Sequence, residues 1–274
     1  MLKELCTLPS ALYRNRRLVK KMAKNDLKSR FAGSYFGTVW AFIQPIVTIL
    51  VYYFVFGIAM RGGAASGDGT PFVLYLVSGI VPWMYFQEGL INGTNAFLEY
   101  SYLVKKVVFD ISVLPVVKLL SALVIHLFFV AFAMILFACY GYYPDLYYLE
   151  ILYYMLCLFL LILAIVYTTS SVIVFFRDMG QIVSILLQVG IWLTPVMWDL
   201  SFLNGHSWGR IVMRILKLNP FYYIVHGYRN VFIEKRWFWQ DRLLTLYFWV
   251  FLIVCYVFST WVFKRLKGHF ADVL

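Results

Sequence analysis

Uncharged, strongly apolar stretches run over residues 31–60, 69–87, 119–144, 151–176, 179–198 and 243–263. Each is close to or above the roughly 20 residues that carry an α-helix across about 30 Å of hydrocarbon. The pattern predicts an all-α integral membrane protein, a single transmembrane domain over 1–274, with helices at 35–60, 71–98, 116–140, 146–176, 179–198 and 243–263. Residues 10–31 read differently. There Leu12, Val19, Ala23 and Leu27 share one helical face, while Arg14, Arg17, Lys20, Lys21, Lys24 and Lys28 gather on the other. This predicts an amphipathic helix in the membrane plane, its cations suited either to anionic lipid or to a cytoplasmic partner.

The polar breaks complete the outline. Arg61-Gly62-Gly63-Ala64-Ala65-Ser66-Gly67-Asp68-Gly69 is too glycine-rich to stay helical and predicts a short external loop. The stretch 100–110 holds Lys105, Lys106 and Asp110 and is too long for a tight turn, so a short cytoplasmic helix is expected before Pro115 opens the next span. Gly141-Tyr142-Tyr143-Pro144-Asp145 and Arg177-Asp178 read as turns. Over 203–235 external helices are expected. Trp208, Ile211, Val212, Ile215 and Leu216 lie opposite Arg210, Arg214 and Lys217, and Asn219-Pro220 then breaks that helix. The apolar piece 221–233 is too short to span and fits a re-entrant or interfacial segment.

Composition supports the membrane reading: 63% of residues are hydrophobic and only 14% charged, against about a quarter charged in soluble domains. The net charge of +11 would suit nucleic acid, but its placement between apolar spans points to a membrane and to no nucleic-acid partner. With the N-terminus inside, 16 of the 24 Lys and Arg lie on the cytoplasmic side, which predicts that both termini are cytoplasmic. The four cysteines lack CxxC spacing and are expected to be buried thiols. No small-residue cleavage site precedes the first apolar run, so that run is expected to remain as a span. No internal repeat is visible, which removes one sign of many secondary transporters.

The chain has no GxxxxGK[ST] phosphate loop, so ATP and Mg are expected on a separate subunit, with no cofactor bound here. His126, His206, His226 and His269 show no metal-ligand spacing, and no metal site is expected. Glu88 is the lone acid well inside a span and calls for a pairing partner near the inner boundary. Polar stripes at helical spacing mark two spans: Trp40, Gln44, Thr48 and Tyr52 in the first, and Gln181, Ser184, Gln188 and Trp192 in the fifth. They fit either hydrogen bonding between packed helices or a hydrated conduit in which amides meet sugar hydroxyls and aromatic faces meet sugar C–H groups. A membrane transferase would need a convergent His/Asp/Glu constellation, and an ion-coupled carrier would need ionisable groups at mid-membrane. Neither pattern is present in strength.

Asp26-Leu27-Lys28-Ser29-Arg30 leading into Tyr35-Phe36-Gly37-Thr38-Val39-Trp40-Ala41-Phe42-Ile43-Gln44-Pro45 resembles the entry to the first span of ABC-2 type exporter permeases. So do Leu103-Val104-Lys105-Lys106-Val107, Phe176-Arg177-Asp178, Leu193-Thr194-Pro195 and Leu218-Asn219-Pro220-Phe221, in the family's order over nearly the whole chain. Asp110 departs from the family's usual Pro. Tyr53-Phe54-Val55-Phe56-Gly57 with Arg61-Gly62-Gly63, Trp198-Asp199-Leu200 and His269-Phe270-Ala271-Asp272-Val273 resemble most the wall teichoic acid permeases of that family, and the O-antigen permeases are similar. The resemblance implies a homodimer in the bacterial plasma membrane, bound to two cytoplasmic ABC ATPase subunits and moving a lipid-linked glycopolymer between leaflets. It also implies that Tyr100, Ser101, Tyr102, Leu103, Val104, Lys105, Lys106 and Asp110 form the ATPase-coupling segment. Arg17, Lys20, Lys21, Lys24 and Lys28 would border the ATPase, and the first and fifth spans would line the conduit.

Overall fold

The computed structural model describes residues 12–59, 69–104, 110–198, 200 and 208–274. Every regular element among them is helical. The main helices are α1 (Arg16–Ser29), α2 (Trp40–Tyr52), α3 (Phe72–Thr94), α4 (Leu114–Cys139), α5 (Glu150–Ile173), α6 (Met179–Leu193), α7 (Gly209–Lys217), α8 (Pro220–Arg229) and α9 (Arg242–Lys267). α2 is entered by a 3-10 turn, Gly37–Val39, and runs out through a π-helical stretch, Tyr53–Ala59.

Four helical stretches among the described residues are long and apolar enough to cross a membrane: Gly37–Ala59, Ile111–Cys139, Leu146–Ile173 and Arg242–Lys267. The other two expected spans depart from that pattern for different reasons. α3 has the length, 23 residues, but carries Ser78, Gln87, Glu88, Asn92 and Thr94. It tolerates them because it is the central helix, with 16 of its residues buried among α4, α5, α6 and α8, so its surroundings are protein rather than lipid. α6 has the apolarity but stops at Leu193 after 15 residues, about 22 Å at 1.5 Å per residue. The expected helix over 179–198 is thereby corrected: Pro195 holds Thr194 in an extended conformation (ψ 135°), which ends the helix early.

Close packing at the centre depends on two glycines one turn apart. A Cβ on Gly89 would lie 3.0 Å from Ile162, and one on Gly93 would lie 2.6 Å from Val166. Small residues four apart let α3 and α5 approach more closely than side chains would permit. Across the same joint Thr94 and Thr169 share a hydroxyl hydrogen bond of 2.8 Å.

Termini of other elements follow local chemistry. Asp110, in the position where the resemblance leads one to expect proline, accepts from the Ser112 N–H and hydroxyl and caps the turn into α4. Pro115 sits in the first turn of α4, as its fixed φ favours. Gly141 takes a φ of +89° after α4, and the Tyr142 N–H returns to the Phe137 carbonyl at 3.0 Å. The expected re-entrant piece is α8, which is largely buried against α3, α5 and α9. Of the cysteines, Cys157 is buried and Cys255 is half-buried, whereas Cys139 at the end of α4 is exposed, contrary to expectation.

Candidate transport path and coupling region

α1 lays its apolar stripe on the start of α4, where Val19 and Ala23 pack with Val113 and Val117. The face expected to meet lipid is therefore covered by protein. Asp26, seven residues beyond Val19, falls on that same buried stripe. Lys118 of α4, 2% exposed, donates to Asp26 Oδ1 at 2.5 Å. Lys118 also pairs with Glu99. Arg30 donates to Asp26 Oδ2 at 2.8 Å and to Glu88 Oε1 at 2.5 Å. Five charged side chains thus tie α1 to α3, α4 and the short helix Ala96–Glu99. Burial works to raise the Asp26 carboxyl, but hydrogen bonding to Lys118 and the charges of Arg30 and Lys118 prevail and hold it below its ordinary value. Glu88 finds its partner in Arg30 of another element, the structural pairing that its place in the chain called for.

The segment expected to couple to an ATPase starts at this cluster. The Tyr100 hydroxyl donates to Asp26 Oδ1 at 3.0 Å, and burial, followed by the Asp26 charge, raises its pKa. Ser101, Tyr102, Leu103 and Val104 form a short helix, Ser101–Val104, in which Tyr102 is exposed and Val104 is buried. Lys105 and Lys106 lie outside the described residues, and Asp110 caps the next element. On α1 the side chains of Arg17, Lys20, Lys21, Lys24 and Lys28 are all exposed.

The two polar stripes lie on peripheral helices. Only Ala41 and Ile49 of α2, and only Val183 and Leu187 of α6, are buried. Trp40, Gln44, Gln181, Gln188 and Trp192 are exposed, and Thr48, Tyr52 and Ser184 half-exposed. The hydroxyls satisfy themselves within their helices: Thr48 bonds to the Gln44 carbonyl at 3.0 Å, and Ser184 to the Gly180 carbonyl at 2.9 Å. A glutamine amide cannot do the same with all of its donors and acceptors. The stripes converge at one end, where Phe56 bridges Tyr52 and Trp192 with ring centroids 6.2 Å from each. At the other end Gln181 and Ser184 line a cavity of about 310 Å³ against α3 and α5, apart from Gln44 and Gln188.

A polar joint supports the end of α6. The Asn219 amide donates to the Thr194 hydroxyl at 2.8 Å while its carbonyl oxygen caps α8 by accepting from the Phe221 N–H at 3.0 Å. Arg229 donates to the Val196 carbonyl at 2.9 Å and lies 3.7 Å from the centroid of the Tyr75 ring. Leu193-Thr194-Pro195 and Leu218-Asn219-Pro220-Phe221, separate in the sequence, are thus one structural unit.

Asp26, Lys118 and Arg229 were missed as site residues at the sequence level. Asp26 did carry a signal: it is the one acid among the cations of 12–30, and it occupies the apolar face. Among the described residues no group of three or more His, Cys, Asp or Glu side chains is placed to hold a metal ion.

Comparison with known proteins agrees with this architecture. The O-antigen export system permease protein RfbA of Myxococcus xanthus is 30% identical over 225 residues, covering 82% of this chain and 84% of that protein. The protein of the same name from Klebsiella pneumoniae is 25% identical over 261 residues, 94% of this chain and 95% of its own. The family model described as ABC-2 type transporter matches residues 17–233, a span from the basic helix α1 through the buried α8, and the chain belongs to that family.

Proposed function

We propose that the chain is the permease subunit of an ATP-driven exporter that passes a lipid-linked cell-surface polymer from the inner to the outer leaflet of a bacterial plasma membrane. It works as a homodimer of six-span chains with cytoplasmic termini, together with two copies of a cytoplasmic ABC ATPase that bind ATP and Mg. The observation that carries this reading is the exposure of Gln44 on the apolar helix α2 and of Gln188 on the apolar helix α6, where neither amide has a partner within the protomer among the described residues. An unsatisfied amide in hydrocarbon costs several kcal/mol. A second protomer around a hydrated path removes that cost, because water and sugar hydroxyls satisfy what lipid cannot. Tyr52, Phe56 and Trp192 add aromatic faces to the same path, with Trp40 on the α2 stripe.

Two observations bear on the polymer. The relatives named for O-antigen export support a polysaccharide, whereas the Trp198-Asp199-Leu200 and terminal motifs favour wall teichoic acid. At the cytoplasmic end, the exposed cations of α1 and the exposed Tyr102 form the surface for the ATPase, and Tyr100 links that surface to the buried charges. Replacing Gln44 and Gln188 together with leucine tests the conduit. Export of surface polymer should fall several-fold while the protomer stays as stable as wild type or more so. Unchanged export would place both amides outside the path.

A further inference from the structure

His226 of α8 and Asp241, the residue before α9, meet on the side of the protein that the proposed topology turns outward. Nε2 of His226 lies 3.1 Å from Asp241 Oδ2, and the Asn230 amide donates to that same oxygen at 3.2 Å. One carboxylate oxygen thus ties α8 and the π-helical stretch after it, Asn230–Glu234, to the start of α9. The chain between them is a short strap, 235–241, which begins at Lys235 in a left-handed conformation (φ +54°) that a lysine rarely adopts. The joint is not fully satisfied. Asn230 is 1% exposed, and its Oδ1 has no hydrogen-bond partner among the described residues. That unmet acceptor opposes the closed arrangement, because water would reach the oxygen if the joint opened.

The imidazole is 22% exposed, so a proton can reach it, and its ring stacks on Tyr222 with centroids 5.7 Å apart and planes 12° apart. The charges of Glu234 and Asp241 favour a proton there, and that of Arg229 opposes it. From α5, the Tyr154 ring packs on Gly227, and the buried Glu150 accepts from the Phe238 N–H of the strap at 2.8 Å. Burial outweighs the two carboxylates and lowers the His226 pKa from its ordinary 6.5. A neutral imidazole therefore belongs to the closed joint. Its contribution is complete above pH 6.5 and is lost as pH falls through the lower value of the closed state. The same α8 holds the end of α6, through Asn219 on Thr194 and Arg229 on Val196. We propose that the His226–Asp241 contact is an acid-released clasp, which holds α8 on α9 at neutral pH and lets α8 shift, with the end of α6, when His226 takes up a proton from the outer aqueous phase. The clasp rests on the proposed export topology only for the side from which the proton comes.

The test is amide hydrogen exchange of the purified full-length permease in nanodiscs between pH 7.5 and 5.0, corrected for the pH dependence of intrinsic exchange. Both faces meet the buffer there, so an inverted topology would leave the result unchanged. Protection over 220–245 should fall several-fold in wild type as pH drops, while that of the middle of α4 stays constant. His226→Gln keeps a hydrogen-bond donor but takes up no proton, and its protection over 220–245 should not change with pH. His226→Asn serves the same purpose if the glutamine variant does not fold. Histidine-selective ¹⁵N NMR of wild type, with the His226 signal identified by its loss in the variant, should give a midpoint below 6.5. Constant protection in wild type, an equal loss in wild type and variant, or a His226 midpoint at or above 6.5 overturns the proposal.

Discussion

Lys118 Nζ lies 2.5 Å from Asp26 Oδ1, both side chains 2% exposed, and this contact across 92 positions fixes the N-terminal helix to the membrane domain. Removing one partner of a buried pair leaves an uncompensated charge, which costs about 3–5 kcal/mol, whereas replacing both by apolar groups is far less costly. Lys118→Met should therefore lower the thermal stability of the purified permease sharply, and Asp26→Leu with Lys118→Met should restore much of it. Because Tyr100 hangs on Asp26, the restored double variant should still show ATP hydrolysis poorly coupled to export. Unfolding curves of the three permeases, with ATPase and export assays on their assemblies with the ATPase subunit, measure both effects.

The same contact has a pH signature. The Asp26 carboxyl is held below its ordinary value, so its contribution is fully present above the unfolded carboxylate value near pH 4. It is lost as pH falls through the lower folded value. Between about pH 5 and 7 the stability gap between wild type and Asp26→Asn should stay constant, and it should close only below about pH 4. A gap that already narrows between pH 7 and 5 would contradict this ordering.

Which parts were legible in the sequence follows from what each signal reports. Apolar runs report contact with lipid or core, so α2, α4, α5 and α9 were plain. α3 was weak because a helix enclosed by other helices need not be apolar, and Glu88 and Thr94 are tolerated there by Arg30 and Thr169. α6 was overextended because Val196 and Met197 are as apolar as a span yet are buried in an irregular turn held by Arg229. The polar stripes fall on the outward, exposed or half-exposed faces of α2 and α6. Asp26 was read as part of a motif and not as a buried charge, since its partner lies 92 residues away and no local pattern names it.

Gly93 offers a packing prediction. A Cβ there would stand 2.6 Å from the Val166 side chain, and overpacking of this kind costs roughly 1–3 kcal/mol. Gly93→Ala should lower the melting temperature and the yield of monodisperse protein, and Val166→Ala in the same chain should recover part of the loss. Absence of any rescue would mean that the two helices do not meet at this point.

Trp192 separates conduit from core. It is 56% exposed in the protomer, so Trp192→Ala should cost much less than the 3–5 kcal/mol of a packed tryptophan. Export should nevertheless decline through loss of a stacking surface worth on the order of 1 kcal/mol. Tyr52→Phe should reduce export less, because the ring face is kept. Parallel stability and export measurements on both variants decide this.

The central claim is that this chain is the membrane path by which a lipid-linked polymer leaves the cytoplasmic leaflet. The direct measurement is the leaflet distribution of that polymer in cells depleted of the chain, read by an impermeant lectin or antibody before and after permeabilisation, with re-expression of the wild-type gene as control. The account predicts polymer accumulating inside, reachable only after permeabilisation and returned to the surface by re-expression. Undiminished surface polymer with no internal accumulation would contradict it.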